Sequence, residues 1–193
     1  MCVFKSKPKI TQTAPRTGLR MKKSATFAAV VVAAVGGFEG YRSSAYLDPV
    51  GIPTICFGET KGVKMGMTKT RAECEAMLAD SLAEHEAGME KCLSNHATIP
   101  DKPYGAFLSL TYNIGTGAFC GSTVRKRAEA GDLKGACDAI MSWNKATFSA
   151  SAAIAQRARG ETCTKKADGK YLCTMSGLTK RRDAERAMCL EGL

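Results

Sequence analysis

Glu39 and Asp48 stand nine residues apart, and Thr54 follows Asp48 by six. Glu39 comes directly after an uncharged apolar stretch, where partial burial raises a carboxyl pKa and keeps the group protonated as a general acid. Asp48 sits in Leu47-Asp48-Pro49, a turn sequence that leaves its carboxylate wet and ionised. One carboxyl that gives a proton and one that stays charged are the pair that glycosidic cleavage requires. The first protonates the leaving oxygen, and the second activates water or stabilises an oxocarbenium-like transition state. The Thr54 hydroxyl supplies a holder for that water. Spacing alone does not establish this, because a chain with 18 Asp and Glu contains many such pairs, and two unrelated surface acids fit as well. His85 and His96 are too far apart for a helical ligand pair and have no thiol or acidic cluster at metal-site spacing, so neither a metal nor any other cofactor is expected.

Positioning Glu39 falls to the segment in front of it. Residues 1–23 form a basic arm with seven Lys/Arg and no acid, and residues 24–38 follow without a charge, centred on Phe27-Ala28-Ala29-Val30-Val31-Val32-Ala33-Ala34-Val35. Basic residues followed by about 7 to 15 apolar ones have the form of an export signal, and the stretch is shorter than the ~20 residues of a stable transmembrane helix. A cut after Ala34 or Gly36 would deprive Glu39 of the helix that places it. The expectation is therefore an uncleaved segment, first an export signal and anchor, later the first helix of the domain. A purely structural helix is the alternative. Met21 stands just before this unit, and whether translation starts at Met1 or Met21 stays open.

Residues 39–193 read as one domain. A chain of 193 residues, 45% apolar and 24% charged, has globular composition, which excludes wholesale disorder and low-complexity architectures. The formal charge is +10, yet outside the arm 21 basic side chains meet 18 acidic ones, so a nucleic-acid surface spread over the body is not expected. Residues 46–63 alternate Gly, Pro and short β-favouring pieces, the pattern of a small turn-rich sheet. A long amphipathic helix is predicted over 68–93 behind a Thr70–Glu73 capping box, with an interruption near Gly88. Further helices are predicted over 104–112, 122–130, 133–143 behind a cap at Asp132, and 178–190. The fold class is α+β, a small β-sheet beside a mostly helical lobe, and the cleft between them suits an extended polymer. None of the nine cysteines has the paired spacing of a zinc site. Cys163 and Cys173 flank Asp168-Gly169, a hairpin turn that sets the two sulfurs opposite each other. Without Cys2 an even eight remain, whose other pairings stay open; buried reduced thiols in a cytoplasmic protein are the alternative.

Three blocks then carry a resemblance. Phe38-Glu39-Gly40-Tyr41-Arg42, Ala45-Tyr46-Leu47-Asp48 and Thr54-Ile55-Cys56-Phe57-Gly58 together resemble the active-site region of phage-type lysozymes, the endolysins of glycoside hydrolase family 24. Both separations of that family's Glu, Asp and Thr are kept. Residues 112–119, with 131–137 after them, resemble the family's loop at the base of the cleft and the helical turn that follows it. Residues 177–186 resemble its final helix. The resemblance implies a lysozyme-like fold, with Glu39 as general acid, Asp48 as the second carboxylate acting as base with inversion, and Thr54 as its water-positioning partner. It implies a sugar-binding role for Asn113, which a helix-terminating role rivals. It also implies that Arg181 is the electrostatic partner of the catalytic Glu, although neighbouring Arg182 leaves the register open by one.

The activity so implied is hydrolysis of the β-1,4 bond between N-acetylmuramic acid and N-acetylglucosamine in peptidoglycan glycan strands, to lyse the host, by a monomer with no nucleic-acid partner. A non-catalytic peptidoglycan-binding or virion structural module on the same fold is the rival from another class, and a lytic transglycosylase the rival among enzymes. The apolar segment, the cysteines and a hairpin insertion at 163–173 depart from the simplest members and resemble the exported, signal-anchor subgroup. They imply transient association with the host inner membrane through 24–38 and then a periplasmic location; host cytoplasm with holin-dependent release is the alternative.

Overall fold

The computed structural model describes residues 19–48 and 51–193; Cys2 and most of the basic arm lie outside them. The apolar segment folds as α2 (Ala25–Gly36), preceded by a single turn, α1 (Arg20–Lys23). Ser24 caps α2, its hydroxyl accepting the Phe27 N–H at 3.1 Å. Phe27, Val31 and Val35 recur at four-residue spacing and are buried, whereas Val30 on the other side is exposed. Each buried side chain of this kind contributes about 1.5–3 kcal/mol. The close partner is α4 (Asp101–Ile114), where a Cβ on Gly105 would lie 3.2 Å from Val31 Cγ2. Among the described residues no helix is long and apolar enough to cross a membrane.

The segment expected to be a basic arm contributes a helical turn, α1, to the described fold. The first amides of a helix need acceptors, and the buried Glu86 carboxylate supplies them, taking the N–H of Arg20 at 2.7 Å and of Met21 at 3.1 Å. The Arg20 guanidinium donates to the carbonyls of His96 and Ile99 at 2.7 Å each and lies 4.0 Å over the Tyr104 ring.

β1 (Arg42–Leu47) and β2 (Pro53–Cys56) make an antiparallel pair with Tyr46 opposite Thr54. α3 (Arg71–Glu90) starts from the anticipated capping box, with Thr70 and Glu73 bonded reciprocally. The interruption expected near Gly88 does not occur. Gly88 instead makes room for Thr116, since a Cβ there would fall 2.7 Å from Thr116 Cγ2. α4 is the hub of the helical lobe: residues 103–111 are all buried. It ends at Gly115, whose φ of 85° an L side chain resists. After it come α5 (Thr116–Gly121), α6 (Thr123–Glu129) and α7 (Leu133–Ala139), the last capped by Asp132 as anticipated. A 3-10 turn over Ile140–Trp143 then leads to β3 (Lys145–Phe148), α8 (Ala150–Ala158), β4 (Thr162–Lys165) and β5 (Tyr171–Thr174). The second sheet runs β3-β5-β4, so the sequence reading found its hairpin and missed the flanking strand and helix. α9 (Ser176–Leu190) closes the chain against α4 and α7.

Four disulfides join Cys56–Cys74, Cys92–Cys120, Cys137–Cys189 and the anticipated Cys163–Cys173. The reading of these eight as reduced thiols is thereby set aside. The first three tie β2 to α3, the turn after α3 to α5, and α7 to α9, so each fastens an element or turn next to the site's walls to the lobe behind it.

Candidate active site

Glu39 is held at the end of α2 by its own backbone, its N–H donating to the Val35 carbonyl at 3.2 Å. Its carboxylate meets Arg181 of α9: Nη1 donates to Oε1 at 2.6 Å. Arg181 is itself fixed, its Nε bonded to Glu185 Oε1 at 3.1 Å and its Nη2 to the Ser109 carbonyl at 3.4 Å. Glu185 is buried and takes a short hydrogen bond, 2.6 Å, from the Ser109 hydroxyl. Arg182 points elsewhere, pairing with Glu185 at 2.9 Å and donating to Asn113 Oδ1 at 3.0 Å. Of the two neighbouring arginines, then, Arg181 is the one that reaches Glu39. Burial lowers Arg182 to about 10, against the pull of Glu185, and burial raises Glu185 against the pull of Arg182 and its other donors. Such a cluster is costly to desolvate and costlier to break, so it makes a stiff backing for Glu39.

Two cavities meet at that residue. One of about 660 Å³ runs between the first sheet and α3 and is lined by Glu39, Phe57, Glu59, His85, Tyr112 and Asn113 among others. The other, of about 450 Å³, lies on the side of the second sheet and is lined by Phe38, Glu39, Asn113, Ala146, Leu178 and Arg181 among others. Glu39 and Asn113 belong to both, which makes a groove past the carboxyl group of the kind an extended chain occupies.

Asp48 and Thr54 are brought together elsewhere, on the β1–β2 hairpin. The Asp48 carboxylate accepts the Ile52 N–H at 2.9 Å, and the Thr54 hydroxyl donates to the Ile52 carbonyl at 3.0 Å. Both side chains thus grip one residue of the connecting turn. Neither lines the two cavities. Glu39, Asn113 and Arg181 form one group and Asp48 with Thr54 a second.

The sequence reading did not single out Glu59 and Tyr112, and it considered His85 as a metal ligand, a role it set aside. β2 runs into Cys56, a non-glycine residue at φ 61°, so the chain turns sharply there. Ile55 and Glu59 then exchange both backbone hydrogen bonds at 2.9 Å, which brings the Glu59 side chain into the first cavity. The Tyr112 hydroxyl donates to Glu59 Oε1 at 3.4 Å, and the His85 ring packs 5.1 Å from the Tyr112 ring. Burial raises Glu59 above the ordinary carboxylate range, opposed by Tyr112 and His85; burial and the Glu59 charge raise Tyr112. The available signal was position: Glu59 directly follows the Thr54–Gly58 block. No group of residues able to hold a metal ion exists among the described residues.

Comparisons with known proteins bear on the family and the fold. A family model described as Phage lysozyme matches residues 36–161. The SAR-endolysin of Enterobacteria phage P21 is 35% identical over 157 residues, 81% of this chain and 79% of that protein. The SAR-endolysin of Bacteriophage PS119 is 34% identical over 157 residues, 81% and 78% of the two chains. Among solved structures, the endolysin from Escherichia coli O157:H7 phage FAHEc1 is 31% identical, covers 84% of this chain and 92% of its own, and superposes with a TM-score of 0.66.

Proposed function

Because this chain belongs to the phage lysozyme family and is a muramidase that hydrolyses bacterial peptidoglycan, we propose that Glu39 is the general acid of the reaction, Asp48 its second carboxylate and Thr54 the holder of the attacking water. Glu39 gives its proton to the glycosidic oxygen as the bond to the muramic acid carbon breaks. Positive charge grows on that sugar, and a carboxylate from the hairpin stabilises it. Water adds to the anomeric carbon from the opposite face and loses its proton to Asp48, so the centre inverts. Arg181 acts through Glu39, holding the carboxyl in one orientation, and the Asn113 side chain, itself held by Arg182, offers its amide to the sugar.

The observation that carries this reading is the Glu39–Arg181 pair at the junction of two cavities. Glu39→Gln is expected to abolish clearing of purified cell walls while sedimentation with those walls persists. Clearing at the wild-type rate by that variant would refute the assignment.

The same reading extends to location. The relatives carry the name SAR-endolysin, four disulfides suit an oxidising compartment, and residues 24–38 precede the catalytic carboxyl without a charge. Helical throughout, those residues would measure about 22 Å, short of the ~30 Å hydrocarbon core, so their hold on a membrane is weak and reversible. The protein passes from the host inner membrane to the periplasm, where the segment becomes α2 and places Glu39. Cell fractionation after expression from Met21 tests this: membrane-bound and then periplasmic, oxidised protein is expected, and wholly cytoplasmic, reduced protein contradicts it.

A further inference from the structure

α2 is clamped at its two ends and nearly bare between them. Ala25–Gly36 carries no charged side chain; Phe27, Val31 and Val35 are buried, while Ala29, Val30 and Ala33 face solvent. Apolar contact of this kind is non-directional, and lipid supplies it as well as protein does. Polar bonds to the lobe gather just outside the helix. Glu39 meets Arg181 beyond its end. Before its start, Arg20 fills a socket formed by α3, the 3-10 turn His96–Thr98 and α4. The guanidinium donates to Asp101 Oδ1 at 2.8 Å and to the carbonyls of His96 and Ile99 at 2.7 Å each, covered by the Tyr104 ring at 4.0 Å. The Arg20 and Met21 amides both end on Glu86. The Tyr104 hydroxyl lies between Glu86 Oε1 at 3.0 Å and Glu90 Oε1 at 2.8 Å, and Glu90 is 3.1 Å from His96 Nδ1. Arg20 is 4% exposed and Glu86 fully buried, so the socket is closed to water in a way that a surface ion pair is not.

We propose that Arg20 is a latch: seated in this socket, it keeps α2, and with it Glu39, in the protein and stops the apolar segment from returning to lipid. The two phases differ in what they offer this residue. A bilayer has nothing that matches Asp101, Glu86 and two fixed carbonyls, and a guanidinium at a helix end stays at the headgroup level. In the socket each contact is directional and shielded. Leaving it breaks the two amide bonds to Glu86 and the three guanidinium bonds together, and strands the buried Glu86 carboxylate. The clamp at the other end is the more open one, because the Glu39 side chain borders the groove and is 26% exposed. Arg20 thus acts on the site from the far end of the helix, without touching a reacting atom. The proposal rests on the export reading, which supplies the membrane.

The test mixes the full chain, folded and oxidised in water, with vesicles of phosphatidylethanolamine and phosphatidylglycerol, and separates bound from free protein by flotation. Wild type is expected to remain free. Glu86→Gln alters the socket and leaves the segment's own affinity for lipid untouched, so a bound-to-free ratio at least about tenfold higher is expected, the order for a buried pair broken on one side. Gly88→Ala, whose strain falls on Thr116 from the opposite side of α3, should stay at the wild-type ratio, which separates the latch from general loss of stability. Equal ratios for Glu86→Gln and wild type overturn the proposal. So does a wild type that binds the vesicles, or a Gly88→Ala ratio that climbs as far as that of Glu86→Gln. If Glu86→Gln fails to fold, amide exchange of the wild type decides: the Arg20 and Met21 amides are expected to exchange at least about 10²-fold more slowly than unstructured ones, and exchange at the rate of a free chain end overturns the latch. Wholly cytoplasmic protein on cell fractionation sinks the export reading itself, a different result from unchanged partition of the purified chain.

Discussion

Arg181→Lys keeps a positive charge on α9 and removes the planar fork, which makes it the sharpest probe of how Glu39 is held. Arg181 serves three acceptors on three different elements: Glu39 after α2, Glu185 on α9 and the Ser109 carbonyl on α4. An ammonium is a point donor on a flexible stem and cannot span them. About two charge-assisted hydrogen bonds are lost, each worth ~1.5–3 kcal/mol. Glu185 retains Arg182 and the Ser109 hydroxyl, so the net loss of stability falls at the low end, about 3–4 kcal/mol. Arg181→Met removes the charge as well and should cost more, about 3–5 kcal/mol, the range for a buried pair broken on one side. The catalytic effect is separate. On the proposed role of Glu39, an error of about 1 Å in its placement should lower kcat by ~10²-fold, and a residue that acts only through Glu39 should leave KM little changed. Urea titrations measure the first quantity. Turnover of soluble glycan fragments, taken far below the unfolding midpoint of each variant, measures the second. A fully folded Arg181→Lys with kcat within about twofold of wild type would refute the idea that the guanidinium fork positions Glu39.

Glu86 and Glu185 are buried carboxyls whose pKa values burial pushes up in the folded state. A raised acid binds more protons folded than unfolded, so the contribution of these two groups to stability is full below the ordinary value of 4.5 and is lost as pH rises through their raised folded values; Glu86→Gln should make the melting temperature fall less over that rise, and parallel slopes for the two proteins would be evidence against it. Loss of Cys137–Cys189, which closes 52 residues, should cost about 4 kcal/mol, and loss of Cys163–Cys173, which closes 10, about 3 kcal/mol; urea titrations giving the reverse order would contradict the chain-entropy reasoning. Gly88→Ala should destabilise by about 1–3 kcal/mol despite alanine's better helix propensity, because its Cβ meets Thr116 at 2.7 Å, and pairing it with Thr116→Ser should restore part of the loss in a double-mutant cycle.

Local features of this fold were legible because their physics is local. The Thr70–Glu73 box, the Asp132 cap and the Cys163–Cys173 hairpin each involve residues within about ten positions, and sequence spacing nearly dictates such geometry. Gly88 misled for the same reason: its helix penalty is a local quantity, and the compensating contact with Thr116 lies in another helix. The site is the opposite case. Glu39 and Arg181 are separated by 142 positions, and only the packing of α9 on α4 decides which of two adjacent arginines faces the carboxylate. Glu59 and Tyr112, 53 positions apart, share the first cavity because Cys56 turns the chain and Ile55 pins Glu59 beside it, neither of which leaves a periodic signature. Nor does periodicity describe α2, whose sequence is apolar almost all round. Under the proposed export route that composition suits a segment which meets lipid first and protein later, and it conceals which three residues face the core. What selects Phe27, Val31 and Val35 is the lobe itself, through Gly105 and the Tyr104 ring, so the helix that delivers Glu39 takes its orientation from α4 rather than from its own pattern.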